Sequence, residues 1–431
     1  MGDSISREAE NVPARSEALR ELAALFLRLG TLAMGGPAAR IAMMEDEVVR
    51  RRRWMTHERF LDMLGVCNLI PGPNSTEMAI HIGQLRAGFA GLVVAGACFI
   101  LPAAAIVMAI ACMYVRYGTM PQAVGLLYGI KPVIIAVVLQ ALWGLGRTAI
   151  KSRLLAAIAI VSFIAALFDV NDMIVLIGGG VVMMAISALE DRGAARATLA
   201  ALPTAATRAS GIKPAAIAGA VVAVPFSLTT LFLFFLKVGA VLFGSGYVLL
   251  AFLRTDLVDR LHWLTQAQLL DAVAVGQVTP GPVFTTATFI GYILGGFRGA
   301  VVATLGIFLP SFFFVSISGP LIPHLRRSPL AGAFLDGVNV GAWALMAAVT
   351  LFLARAAVVD AVTTILAIAS AFVLIRYRIN SAWLVIGGGA DQAGDGAVAC
   401  CSRVTEGTFL KVQNVRLITA YSARCLYAVV S

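Results

Sequence analysis

Charge is what this chain has least of. Only 13% of its 431 residues are Asp, Glu, Lys or Arg, against about a quarter in a soluble domain, so a soluble globular fold is excluded. Cysteine is sparse too. The six cysteines form no Cys-x-x-Cys pair, and Cys98 and Cys112 lie inside apolar runs, where the thiol packs as a small hydrophobe. Neither a disulfide framework nor a zinc site is expected. The four histidines are scattered, which argues against a metal centre, and no cofactor is expected. A Walker-type loop is absent, and Gly244-Ser245-Gly246 lacks the strand–turn–helix setting of a dinucleotide site. Residues 1–20 are polar, carry both charge signs and have no short apolar core before a cleavage site, so they read as a cytoplasmic tail rather than a signal peptide. The net charge of +10 comes without any aromatic-interleaved basic domain, which argues against nucleic acid. Lys and Arg collect in the cytoplasmic loops of membrane proteins.

Long apolar runs, by contrast, are abundant. The chain is 60% hydrophobic with a mean hydropathy of +0.90. Runs such as Phe89 to Tyr114 and Ala123 to Gly146 exceed the roughly 20 residues that cross a hydrocarbon core. The composition predicts an all-α polytopic protein surrounded by lipid bilayer; a β-barrel would alternate in short segments. A first apolar helix is expected from about Leu22 to Met44, a Pro-Gly-Pro segment over about 60–84, and spans near 88–114 and 123–146. The stretch 154–189 reads equally as one long tilted helix or two short ones.

The chain is duplicated. Gly30, Arg51, Trp54, Thr56, Asp62, Pro71-Gly72-Pro73 and Thr76 return 209 residues later as Gly239, Arg260, Trp263, Thr265, Asp271, Pro280-Gly281-Pro282 and Thr285. After a one-residue gap the separation is 208, and Gly83, Gly88, Gly91, Leu101 and Pro102 meet Gly291, Gly296, Gly299, Leu309 and Pro310. The domain plan is a tail (1–20), a first repeat (21–189), a linker and variable apolar segment (190–230), a second repeat (231–389) and an atypical tail (390–431). The loop Arg50–Arg53 carries excess positive charge whereas its counterpart near 254–262 is balanced. That asymmetry favours inverted repeats of about five helices each.

Proline lacks an amide donor and clashes with the preceding turn, so each Pro-Gly-Pro stops a helix. In lipid, freed backbone groups are tolerated only inside the protein or beside water. Matching breaks in two halves are the usual sequence pointer to a transporter's site, and a helix opening after each break aims a positive dipole end at an anion. Asn74 and Thr76 follow the first break, and Thr285 follows the second. Arg28 and Lys237 are repeat partners that either hold a negative substrate or snorkel to the interface. Gly35-Gly36-Pro37 and the Gly244 segment allow close approach, to a helix or to a ligand. Asp62 and Asp271 either carry a proton or cap a helix, with capping preferred. Glu77 and His81 could titrate and occur in the first half alone. The carboxylate cluster Glu45-Asp46-Glu47, the one feature suggesting a Mg²⁺-dependent membrane transferase, has no repeat partner in this reading, so an enzyme is not expected.

Arg28-Leu29-Gly30, Gly35-Gly36-Pro37, Trp54-Met55-Thr56 and Pro71-Gly72-Pro73, followed by Gly239, Gly244, Trp263-Leu264-Thr265 and Gln277 to Pro282, resemble the chromate ion transporter family in its long, two-repeat form, over about 20–389. The resemblance implies efflux of chromate across a bacterial inner membrane, chromate resistance and a link to the proton gradient, with sulfate-like oxyanions as alternative cargo. The candidate oxyanion site comprises Arg28, Gly35, Gly36, Pro37, Asn68, Pro71, Gly72, Pro73, Asn74, Thr76, Lys237, Gly244, Gln277, Pro280, Gly281, Pro282 and Thr285. The proton-coupling candidates are Asp62, Glu77, His81 and Asp271. Met34 and Asn68 depart from the Phe and Gln that the family usually has there. The sequence leaves a homo-oligomer open.

Asn171 to Gly180 and Asn380 to Gly389 also match, but after Gly389 the apolar pattern gives way to Ala-Asp-Gln-Ala-Gly-Asp-Gly. The abrupt loss reads as a shift of reading frame near residue 390; a divergent C-terminus is the alternative. Resequencing the gene is expected to restore an apolar helix in another frame, and an unchanged reading would favour divergence.

Overall fold

The computed structural model describes residues 15–33, 37–68, 70–118, 121–168, 170–190, 226–242, 248–326 and 329–377. These residues are helical, and no strand occurs among them. The first half comprises α1 (Arg15–Leu32), α2 (Pro37–Glu45) widening into a π-helical turn (Asp46–Arg51), α3 (His57–Cys67), α4 (Asn74–Tyr117), α5 (Pro121–Ala149), α6 (Arg153–Leu167) and α7 (Asp172–Glu190). The second comprises α8 (Leu228–Val241), α9 (Leu249–Phe252) widening into a second π-helical turn (Leu253–Arg260), α10 (Gln266–Val278), a short 3-10 turn (Val283–Thr285), α11 (Thr286–Arg326), α12 (Pro329–Ala357) and α13 (Ala361–Tyr377). Five helices among the described residues are long and apolar enough to cross a membrane.

One expectation changes and one open alternative is resolved. The first apolar helix does not run to Met44: α1 ends at Leu32 and α2 opens on Pro37. Proline is favoured at a first helical position, where its missing amide costs nothing. The stretch 154–189 is two helices, and Asn171 opens the second by accepting the Met173 amide at 2.9 Å. The caps of α3 and α10 are Thr56, which accepts from the Arg59 amide at 3.3 Å, and Thr265, in a capping box with Gln268. Asp62 and Asp271 lie inside their helices and cap neither, contrary to the sequence reading.

α4 and α11 are each two arms. Ala87 and Gly88 leave helical geometry at φ −141°, ψ 22° and φ 64°, ψ −148°. Gly295 and Gly296 repeat those angles closely, at φ −142°, ψ 21° and φ 59°, ψ −150°. The positive φ at the second residue needs glycine. The chain turns back on itself there, because residues equally far from the turn meet. A Cβ on Gly83 would overlap the Gly91 carbonyl oxygen, and one on Gly91 would overlap that of Gly83; Gly291 and Gly299 behave the same way. A Cβ on Gly96 would come within 2.9 Å of Ile80. The first arm of α4 thus runs antiparallel to its second arm.

α3 and the first arm of α4 form a re-entrant hairpin with Pro71-Gly72-Pro73 at its tip. Its base is anchored at one end of the molecule. Arg86 pairs with Glu21 near the start of α1 at 3.0 Å and stacks over Trp54, 4.9 Å from the ring centre, just before α3 begins. α10, the 3-10 turn and the first arm of α11 build the second hairpin.

The halves interlock. The second arms of α4 and α11 pack together, α1 lies along α4, and α8 along α11. α12 of the second half packs on α6 and α7 of the first, and α5 of the first on α13 of the second. Repeat-equivalent apolar residues point outward: Phe89 and Phe297, Leu101 and Leu309 are all at least half exposed. Such a surface suits hydrocarbon, not water.

Gly83→Ala is expected to destabilise the protein by upwards of about 3 kcal/mol, since backbone cannot yield to the new methyl. Gly144→Ala, where a Cβ meets nothing within 4 Å, serves as the neutral control. Thermal unfolding in detergent micelles compares the two.

Candidate functional site

Each hairpin tip is held by the opposite half. The Gly72 amide donates to the Leu242 carbonyl at the end of α8 at 2.8 Å, and the Gly281 amide donates to the Ala33 carbonyl at the end of α1 at 3.2 Å. Leu242 and Ala33 are repeat partners, as are Gly281 and Gly72, so the contacts are reciprocal. Both glycines have positive φ, 142° and 86°. Each also lies against the opposite long helix just past its proline. A Cβ on Gly72 would fall 2.8 Å from Ser311 Oγ, and one on Gly281 would overlap the Ala103 Cβ. Only a glycine lets the tip backbone approach that closely.

The tips are polar where the surroundings are not. Thr76 Oγ1, both carboxylate oxygens of Glu77, Ser311 Oγ, Gln277 Nε2 and Asn74 Oδ1 are buried with no hydrogen-bond partner. Buried polar groups are normally paired, and a set left open in one region marks a place for a ligand, ion or water. Asn68 and Asn74 bond each other across the first tip, Asn74 Nδ2 donating to Asn68 Oδ1 at 2.5 Å. The second tip differs: the hydroxyls of Thr285 and Thr286 are spent on the carbonyls of Pro282 and Val283, both at 2.8 Å. Pro71, Gly72 and Pro73 therefore stand beside open donors and acceptors, while Pro280, Gly281 and Pro282 are flanked by Gln277. Gly35, Gly36 and Gly244 lie outside the described residues, and of Pro37 only its place at the start of α2 is described.

The paired cations take a different position from the one expected. Arg28 lies near the C-terminal end of α1, not mid-helix, because the helix stops at Leu32. It meets Glu47 at 3.5 Å, and Lys237 meets Asp256 at 3.0 Å. Glu47 and Asp256 are themselves separated by 209 residues, so the acidic cluster does have a repeat partner, contrary to the sequence reading. Arg51 and Arg260 complete both clusters one turn on, at 3.0 and 3.2 Å. The Arg28 and Lys237 side chains are 61% and 41% exposed. They stand five residues, about 7.5 Å of helix rise, before the carbonyls that receive the tips.

One cluster has no counterpart at the equivalent place. Lys131 of α5 meets Asp271 of α10 at 3.1 Å, and Tyr114 at the end of α4 donates to the other Asp271 oxygen at 2.8 Å. Asn339 stands where a second Lys131 would be. Accordingly α10 is buried almost all round, with Leu270 2% exposed, whereas the equivalent Leu61 on α3 is 48% exposed. Asp62 lies on that exposed helix. Glu77 is wholly buried, and His81 lies a turn further along, its Nε2 3.4 Å from Ser318 Oγ. Ser311, Ser318 and Lys131 bear on the site although sequence reasoning did not assign them to it; Lys131 alone, an intramembrane cation, carried a signal.

The profile described as "Chromate transporter" matches residues 20–185 and 229–391, one stretch in each half. The chain belongs to the chromate transporter family. It is 36% identical to the chromate transport protein of Pseudomonas aeruginosa over 337 residues, 78% of this chain and 81% of that one. Against the chromate transport protein of Cupriavidus metallidurans the identity is 31% over 376 residues, covering 86% and 92%. Against the probable chromate transport protein of Synechococcus elongatus it is 30% over 348 residues, covering 79% and 86%. No solved structure matches the chain. Membership of the chromate transporter family, with the apolar helices described, makes this a multi-pass membrane protein of a transporter family.

Lys131→Met leaves the Asp271 carboxylate buried without its cation and is expected to cost roughly 3 kcal/mol. Adding Asp271→Asn should recover most of that loss. Unfolding of both variants in detergent measures the difference; equal stability of the single variant and the parent would mean the pair contributes nothing.

Proposed function

We propose that this protein exports chromate across the bacterial inner membrane and so confers chromate resistance. It works by alternating access around the two Pro-Gly-Pro tips. The observation that carries this reading is the reciprocal seating of the tips beside open, buried polar groups. A tetrahedral oxyanion would take its hydrogen bonds from Gln277, Thr76 and Ser311 and from the amides opening α4, where the helix dipole is positive. Arg28 and Lys237, held by Glu47 and Asp256, supply a positive field at the approaches rather than a direct clamp.

An inverted relation of the halves is supported by chain direction. Gly72, Glu77 and His81 meet α11 at Ser311 and then Ser318, in the same order along both chains, so the first arm of α4 runs parallel to the second arm of α11. The second arm of α4 runs against its own first arm, and hence against its repeat partner. Inverted repeats give a transporter two states related by exchange of the halves. The unequal burial of α10 and α3 is what one such state looks like: the Lys131–Asp271–Tyr114 side closed, the Asp62 side open.

Membrane voltage suits export. Chromate is a dianion, and two charges crossing 100 mV are worth about 4.6 kcal/mol, roughly a thousandfold in concentration. Protons enter the cycle through buried acids near the tips.

Everted membrane vesicles, in which uptake corresponds to export, provide the test. Energised vesicles are expected to accumulate labelled chromate saturably, and Arg28→Gln and Lys237→Gln should each reduce the rate several-fold without loss of insertion. No accumulation by inserted protein would exclude the reading, and stronger transport of sulfate than of chromate would reassign the cargo.

A further inference from the structure

We propose that Glu77 is the proton-binding site of the transport cycle, at the inner end of a buried polar seam between the first arm of α4 and the second arm of α11. The proposal rests on the transport reading and names the group that couples it to protons.

Glu77 is fully buried, neither carboxylate oxygen has a hydrogen-bond partner, and no ion pair among the described residues includes it. Its Oε1 stands so close to the tip that a Cβ on Gly72 would overlap it, and the same Cβ would lie 2.8 Å from Ser311 Oγ. The carboxyl and the Ser311 hydroxyl thus flank the tip glycine from opposite halves. One helical turn on, His81 shares the face of Glu77 and its Nε2 is 3.4 Å from Ser318 Oγ. Ser318 is seven residues beyond Ser311, about two turns along the same face. Carboxyl and hydroxyl form one rung; in the next, Ser318 donates to the Val315 carbonyl at 2.7 Å, so its oxygen can only accept from His81.

The repeat-equivalent seam is apolar. Ala103 replaces Ser311, Ile110 replaces Ser318 and Phe289 replaces His81. Either Thr285 or Thr286 stands opposite Glu77, depending on where the gap falls, and both hydroxyls are spent on nearby carbonyls. Ala103 and Phe289 are fully buried, so the fold is built equally well without polar groups at these positions. Stability therefore does not call for a carboxyl at residue 77.

An unpaired carboxylate in such a place is costly, and a bound cation removes the cost. Other titratable groups near it are the Cys67 thiol of α3 and His81 on its own helix. From α11 come the hydroxyls of Ser311 and Ser318, and on α8 the cation Lys237 is taken by Asp256. A proton needs one oxygen, whereas a metal cation needs an oxygen shell that these groups do not make; the imidazole rung suits proton transfer. Negative charge on Glu77 and an oxyanion at the tips repel each other, so the neutral acid admits the oxyanion and the two are carried together; voltage still drives the pair outward, on one net charge rather than the two of the bare dianion, and an inward-directed pH gradient opposes it. The proton bonds to a Glu77 oxygen on one side of the membrane and leaves it on the other.

Liposomes containing the full chain, clamped at zero voltage with potassium and valinomycin, separate this coupling from transport itself. With the outside one pH unit more acid, one proton per oxyanion drives about tenfold accumulation of labelled chromate. Glu77→Gln should reduce accumulation to simple equilibration relative to voltage-driven uptake in the same liposomes. Infrared difference spectra on acidification should show a buried carboxylic-acid carbonyl band that Glu77→Gln removes. Undiminished pH-driven accumulation by Glu77→Gln, or an unchanged infrared band, would overturn the assignment, as would voltage-driven chromate transport in the parent that ignores the pH gradient. No chromate movement under voltage either would overturn the transport reading instead.

Discussion

The amide of Gly72 finds its acceptor across the molecule, at Leu242, and the amide of Gly281 finds its own at Ala33. A backbone broken in an apolar medium must have such a partner, and both breaks use the same kind: the last free carbonyl of a helix that has itself been stopped by a small-residue segment. The two interruptions in each half are therefore one device. Gly30 lets α1 lie directly on the backbone of α4 near Cys98 and Phe99, and Gly239 lets α8 lie on that of α11 near Ile307, and this brings their ends within reach of the tips of the opposite half. Pro102 and Pro310 fall at the same level, where each tip needs room beside the long helix.

Around this centre the charges fall in one cluster per half. Arg28 with Glu47 and Arg51, and Lys237 with Asp256 and Arg260, are the same cluster drawn twice. Each leaves a surplus cation at the rim of the interior. The open polar groups at the tips are instead mostly amides and hydroxyls, with the Glu77 carboxyl among them. The Lys131–Asp271–Tyr114 cluster breaks the symmetry and holds α10 under cover while α3 stays open.

The duplication, the stops at Pro-Gly-Pro and the separation of 60–84 from 88–114 were legible because glycine and proline act locally; the stop before Pro37 was not, because the apolar pattern continues past it to Met44. The reversal at Gly88 was not, since nothing distinguishes that glycine from its neighbours until Gly83 and Gly91 are seen to touch. Arg28 was misplaced along its helix because hydropathy runs straight through the break. Asp271 read as a cap because its partners, Lys131 and Tyr114, sit far away in sequence. Glu47 and Asp256 escaped notice as a pair because the residue type changed while the charge did not. Glu77 could be singled out from sequence, but its lack of partners depends on burial, which periodicity does not supply.

Reciprocal seating also bears on ancestry. A polypeptide holding one repeat would present a tip amide and an acceptor that cannot reach each other, and would need a second copy to satisfy both. Two identical copies must carry the same residues at both seams. Joining them in one chain lifts that restriction, and here it has been used: one seam holds Glu77, His81, Ser311 and Ser318, the other Phe289, Ala103 and Ile110. Fusion thus let one seam become polar while the other stayed apolar.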